Sequence, residues 1–241
     1  MSNPKPKILL CCPTAEVKDY CMKQWTHHVK NLTYDNFDIL IVDNSVNPDY
    51  HKKIQAQLKD FKGKAEVIYY RPLHSNNREL VTACQNKMRS YFLIGGYDYM
   101  FSLESDIFPP VNVIEYLLFH HRKVVGLGYF IGHVFESKFL IQQMDDVSLL
   151  MAQSMLPPLN SIFNWFDGKV KTCFNFGMGC LLIHRSVLEN ISFRIEAEDT
   201  ARGHSDIYFH NDLRTNGIVA FIDTAYVAEH RNGNWGKIKN I

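Results

Sequence analysis

Apolar residues along the chain switch repeatedly between a strand period and a helix period. Lys7-Ile-Leu-Leu-Cys-Cys12 is a short apolar run stopped by Pro13, and Glu16 to Leu32 then carries Val17, Tyr20, Cys21, Trp25, Val29 and Leu32 at helical spacing. Asp38-Ile-Leu-Ile-Val42 predicts a second strand that ends in the turn-forming residues Asp43-Asn44-Ser45. A helix from about Asp49 to Phe61 is stopped near Gly63, and a third strand runs from Ala65 to Tyr70. Asn77 to Leu93 places Leu80, Cys84, Met88 and Phe92 on one helix face. Tyr99-Met-Phe-Ser-Leu103 is a strand that leads into Glu104-Ser105-Asp106 and meets Pro109-Pro110. Val111 to His121 reads as a helix and Lys123 to Phe130 as a strand.

This order predicts an α/β chain with a mostly parallel central sheet and helices on both faces. In such sheets a ligand lies across the carboxyl ends of the strands, where the polar clusters of this sequence fall. Residues 136 to 172 break the pattern and read as an excursion from the sheet. Strand character resumes at Cys180 to Ile183, followed by helices at Val187 to Asn190 and Ser205 to Asn216. A last strand, Ile218 to Ile222, precedes a polar tail that contains His230.

Composition narrows the function classes. The 241 residues carry 26 Lys+Arg against 25 Asp+Glu, a net charge of +1, which disfavours a protein that binds by blanket neutralisation of phosphates. A hydrophobic fraction of 46% with 21% charged residues excludes a disordered chain. The six cysteines, at 11, 12, 21, 84, 173 and 180, have no metal-site spacing and read as reduced, mostly buried thiols. No apolar stretch reaches the roughly 20 residues needed to span a bilayer, so the expectation is a protein without membrane insertion, located in the cytoplasm. There is no P-loop, no GxGxxG after the first strand and no HExxH, and the histidine pairs 27-28 and 120-121 are assigned no metal.

Glu104-Ser-Asp106 is the strongest chemical signal. Two carboxylates one residue apart at a strand end suit a hard divalent cation completed by substrate phosphates, although such a pair in a turn is more often a solvated feature.

Taken together, Cys12-Pro13-Thr14, Val42-Asp43-Asn44-Ser45, Leu103-Glu-Ser-Asp106, Gly177-Met-Gly-Cys-Leu-Leu-Ile-His-Arg185, His204-Ser-Asp206 and His230 resemble the nucleotide-sugar-dependent glycosyltransferases of the GT-A fold. The resemblance covers about residues 5 to 232 and is nearest to short phage and prokaryotic members, some of them associated with modified-base DNA; Glu104 makes the acidic motif an ExD variant of DxD.

The resemblance implies one Rossmann-like domain over 1–241, with a nucleotide-sugar half to about residue 130 and an acceptor-side half after it. It implies transfer of a hexose or pentose from a nucleoside diphosphate sugar, a UDP-sugar foremost, to a hydroxyl acceptor with inversion, aided by Mn²⁺ or Mg²⁺. By the same resemblance, Asp43 holds the nucleobase, with Pro13, Thr14, Glu16, Asn44 and Ser45 lining its pocket, and Arg78 and Ser105 stand on the donor side. Asp106 and His230 are metal ligands, with Glu104 ligating directly, through water, or reaching the ribose. Asp206 is the catalytic base, with Asp199 and Asp212 as fallbacks. Gly177 and Gly179 let the backbone approach the diphosphate or sugar, and Trp165 with Phe163 stacks on the acceptor.

Each residue also has a plainer reading: an Asx turn for Asp43, a solvated helix charge for Arg78, a helix N-terminal carboxylate for Asp206, a tight turn at the glycines and loop packing for the aromatics. The acceptor expected is a glycan or a hydroxymethylated base in DNA, with lipid-linked and protein acceptors equally compatible; DNA would be served by the clusters Lys52-Lys53, Lys62/Lys64, Arg185/Arg194 and Arg231/Lys237/Lys239. The alternatives are a nucleotidyltransferase, against which this sequence has no Gly/Lys/Arg-rich loop after the first strand to hold a triphosphate, and a non-catalytic sugar-nucleotide or nucleic-acid binding module.

Overall fold

The computed structural model describes residues 4–73, 76–131, 138–139, 141–143, 167–196 and 204–231. The strands are β1 (Ile8–Thr14), β2 (Phe37–Asp43), β3 (Ala65–Tyr69), β4 (Tyr99–Leu103), β5 (Ile107–Phe108), β6 (Val124–Ile131), β7 (Lys138–Phe139), β8 (Ile141–Gln143), β9 (Val170–Phe176), β10 (Cys180–His184) and β11 (Ala220–His230). The helices are α1 (Asp19–Lys30), α2 (Tyr50–Gln57), α3 (Asn77–Ile94), α4 (Val113–Phe119), α5 (Arg185–Leu188) and α6 (Ser205–Thr215), with a 3-10 turn at Glu16–Lys18.

The sheet runs β3-β2-β1-β4-β10-β6-β11-β9-β8. The β3-β2-β1-β4 block is parallel, as is the β6–β11 pair, while β10 lies antiparallel between β4 and β6. Strand alternation divides the core between the two faces. Ile8, Leu10, Ile39 and Ile41 pack with Trp25 of α1, Ile54 of α2 and Leu117 of α4. Leu9, Cys11, Leu40 and Val42 face the other way, onto Cys84, Met88 and Phe92 of α3 and Phe209 of α6. The α/β expectation with helices on both faces therefore holds, and all six cysteines are buried and unpaired. Among the described residues, no helix is long and apolar enough to cross a membrane.

Three local expectations change. The helix expected from Glu16 begins with a 3-10 turn, so Val17 is rotated off the apolar face and stands exposed, and the α-helix proper starts at Asp19. The excursion expected over 136–172 contains the strands β7 and β8 and the start of β9, each paired to its neighbour. The last strand does not end at Ile222. It continues to His230 through a register shift between Asp223 and Val227, where Asp223 and Val227 pair with the adjacent residues Leu127 and Gly128. The bulge is held by Asp223, which accepts from the Ala225 N–H at 2.7 Å and meets His120 Nε2 at 2.5 Å. Its polar and small residues, Thr224 and Ala225, hide the strand from a period-two reading.

His210 of α6 supplies a stability test. It is buried, its Nδ1 lies 2.9 Å from the Asp206 carbonyl, its Nε2 has no partner, and burial lowers its pKa to about 4. Below pH 6.5 the unfolded chain then binds a proton that the folded chain refuses, so this residue costs stability as pH falls from 6.5 towards 4. Relative to the parent, His210→Phe is expected to gain about 3 kcal/mol across that window and nothing further above pH 7. Urea melts of both proteins at pH 4.5 and 7.5 check this; equal pH dependence would show that His210 protonates as readily folded as unfolded.

Candidate functional site

The carboxyl ends of β1, β2 and β4 lie side by side in the parallel block, and each carries one of the polar clusters. In register, Thr14 sits opposite Asp43, and Asp43 opposite Tyr69.

After β2, the Asp43 side chain is fully buried. Its Oδ1 accepts from the Ser45 N–H at 2.9 Å and the Ser45 hydroxyl at 2.5 Å, while Oδ2 is buried with no partner. Burial raises its pKa against the lowering effect of Ser45. The Ser45 hydroxyl also accepts from the Glu16 N–H at 2.7 Å, and Asn44 N–H donates to the Thr14 carbonyl at 2.9 Å, so the loops after β1 and β2 form one unit. Arg71, which the sequence reading missed, donates to the Asn44 carbonyl at 2.5 Å from just beyond β3. Pro13 is half-buried beside Thr14, and the Glu16 side chain is exposed, accepting from Asn47 at 3.3 Å. Arg78 is half-buried in the first turn of α3.

After β4, Ser105 and Thr14 hydroxyls meet at 3.1 Å, which ties the acidic loop to β1. Asp106 is 1% exposed. Its Oδ2 accepts from the Lys18 ammonium, from Tyr20 at 3.4 Å and from His230 Nε2 at 3.2 Å, whereas its Oδ1 is buried without a partner. Burial works against the Asp106 charge, but the His230 hydrogen bond and the Lys18 ion pair outweigh it and hold the pKa below the usual carboxylate range. Glu104 is half-buried; burial, with the Asp106 charge beside it, pushes its pKa up to about 7.

His230 reaches this place because β11 pairs with β5, His230 opposite Ile107 and Glu229 opposite Phe108. The Arg231 N–H then donates to the Asp106 carbonyl at 2.8 Å, and the Tyr129 ring stands edge-on to the imidazole at 5.6 Å.

Asp206 lies in the first turn of α6, where its Oδ1 accepts from the Ile207 N–H at 2.9 Å. Burial raises its pKa, opposed by that hydrogen bond and by His204. Its charge also contributes to the raised pKa values of Glu104 and Tyr129. Of the fallback bases, Asp212 is held bidentately by Arg194 at 2.8 and 2.9 Å, and Asp199 lies outside the described residues. Trp165, with Phe163, also lies outside them.

Gly177 and Gly179 pack against Tyr129: a Cβ at Gly177 would come within 2.2 Å of its hydroxyl, and one at Gly179 within 2.7 Å, so both positions leave room for that ring. The Gly179 N–H donates to that hydroxyl at 3.1 Å, and the Gly179 carbonyl accepts from the Glu104 N–H at 3.0 Å. Tyr129 was invisible as a site residue in the sequence because it sits in an apolar strand.

The expected basic clusters are largely neutralised within the chain. Lys52 pairs with Asp49, Lys53 with Asp19, Lys64 with Glu66, Arg185 with Glu189, Arg194 with Asp212 and Arg231 with Glu229. Lys237 and Lys239 lie outside the described residues.

Among solved structures, the chain is similar to the mannosyltransferase PcManGT of Pyrobaculum calidifontis in complex with GDP-Man and Mn²⁺. The TM-score is 0.60 at 11% identity over 95% of this chain and 59% of that one. The fold is that of GT-A-like glycosyltransferases. TarS of S. aureus matches with a TM-score of 0.58 at 10% identity, over 93% of this chain and 36% of that one. Its 1–349 fragment in complex with UDP matches at 0.57 and 11% identity, over 92% and 60%. This chain thus spans about three fifths or less of the length of these glycosyltransferases. No protein-family description matches the sequence, and no curated protein does.

Proposed function

We propose that the chain is a glycosyltransferase that moves a sugar from a nucleoside diphosphate sugar, a UDP-sugar foremost, to a hydroxyl acceptor with inversion. The observation that carries the reading is the meeting of Asp106 and His230, 124 residues apart, at the strand ends of this fold, with one Asp106 oxygen buried and unpartnered.

That donor set fits a divalent cation. A carboxylate with a free lone-pair direction and an imidazole suit Mn²⁺ or Mg²⁺ with remaining positions left to water or phosphate oxygens, and Glu104 would join them directly or through water. Among the described residues, no three His, Cys, Asp or Glu side chains form a preassembled metal cluster. A bound cation supplies neutralisation of the charge that develops on the leaving diphosphate.

The chain's own residues do the rest. The buried Asp43 carboxylate, with Oδ2 unfilled, accepts from the N–H of a nucleobase, and Arg71 holds the neighbouring Asn44 carbonyl. Asp206 takes the proton of the acceptor hydroxyl as its oxygen bonds to the anomeric carbon. The bond from that carbon to the diphosphate oxygen breaks, and its electron pair departs with the nucleoside diphosphate. The internal pairing of the basic clusters favours a glycan acceptor over DNA, whose binding would depend steeply on salt.

The test is a hydrolysis and transfer screen of UDP- and GDP-sugars with Mn²⁺ or with EDTA, alongside Asp106→Ala. Metal-dependent turnover lost in the variant is expected. Failure of every donor to bind or react, or an unchanged variant, overturns the reading.

A further inference from the structure

Asp106 already holds a cation, and that cation is part of the protein. The Lys18 ammonium sits on Oδ2 together with His230, while Oδ1 stays empty. We propose that Lys18 is a built-in counter-cation that competes with the divalent ion for Asp106 and transfers to a phosphate oxygen when a nucleoside diphosphate binds. The inference rests on the reading of the site given above.

Three features support it. The first is charge. A divalent ion on Asp106 would stand within a few ångströms of the Lys18 ammonium in a partly buried site, where like charges repel more strongly than in water. Lys18 must therefore weaken the ion's hold for as long as it remains on the carboxylate.

The second is mobility. Asp106 is fixed: it is 1% exposed, and its backbone carbonyl is bonded to the Arg231 N–H. The Lys18 side chain is 37% exposed, so its head group can leave on its flexible stem without opening the core.

The third is position. Lys18 closes the 3-10 turn Glu16–Lys18, and the Glu16 N–H at the start of that turn is bonded to Ser45, which is in turn bonded to Asp43. The turn therefore links the proposed nucleobase pocket to the acidic loop. A diphosphate lying between Asp43 and Asp106 passes the Lys18 stem and offers the ammonium an anionic acceptor in place of the carboxylate. Metal and nucleotide should then bind with mutual reinforcement, because both require the Lys18–Asp106 pair to open and the cost of opening it is met once.

Mn²⁺ binding is read by electron paramagnetic resonance of the free ion for the parent, Lys18→Met, Lys18→Arg and Asp106→Asn, each alone and with UDP or GDP. Without nucleotide, Lys18→Met is expected to bind Mn²⁺ about tenfold more tightly than the parent, with a smaller further gain from nucleotide, and Lys18→Arg to stay near the parent. Lys18→Gln repeats the measurement if Lys18→Met does not fold. If removing the charge leaves Mn²⁺ affinity unchanged or weaker while Asp106→Asn loses the ion, the metal site stands and the role of Lys18 is overturned. If neither the parent nor the Lys18 variants bind Mn²⁺, UDP or GDP, the site reading itself fails, and this inference with it.

Discussion

Asp106→Asn is expected to turn over a nucleoside diphosphate sugar about 10²–10³-fold more slowly than the parent, the range found when one group that stabilises developing charge is removed. The amide keeps the shape of the carboxylate but gives up the charge that gathers Lys18 and His230 on one oxygen. Removing one partner of a fully buried ion pair costs about 3–5 kcal/mol, but Lys18 is partly exposed and can return to water, so the loss of stability is expected to be smaller. Activity should therefore fall far more than the melting temperature. Parallel kinetics and thermal melts check this; a variant that melts early and loses activity only in proportion would reduce Asp106 to a structural residue.

Asp206→Asn is expected to lower kcat for transfer by about 10²–10⁴-fold, the usual contribution of a positioned general base, and to leave the donor KM nearly unchanged. The separation follows from architecture. The proposed donor pocket is built on β1, β2 and β4, whereas Asp206 is carried by a separate element, the first turn of α6. Burial sets the pH signature by holding the Asp206 pKa above the ordinary aspartate value. A base must be deprotonated to act, so kcat should rise with pH along a limb whose midpoint lies above that ordinary value, and the asparagine variant should lose the limb. A variant with parental kcat would move the base elsewhere and favour a retaining, front-face reaction.

Much of the fold was legible because burial imposes local periods. The parallel strands β1 to β4 and the helices between them follow from apolar runs and helical spacing, and the polar residues that end β1, β2 and β4 stand where such runs stop. The candidate site was legible only in part. Asp43 and Asp106 could be picked out as carboxylates at strand ends, but not their opposite electrostatic states, since Asp43 is raised by burial and Asp106 is held down by partners. Lys18 lies within a segment of helical spacing and Tyr129 within an apolar strand, so neither stands out in the sequence.

The sequence by itself determined the α/β alternation, the sidedness of each element and the polar residues at the strand ends, because those depend on neighbours a few positions away. Only the tertiary structure decided that β11 continues through its bulge to meet β5. That pairing brings His230 to Asp106, and Tyr129 fills the space that Gly177 and Gly179 leave open. Contacts across more than a hundred residues have no period in the chain; they arise from sheet order and register, which are settled when the whole sheet closes.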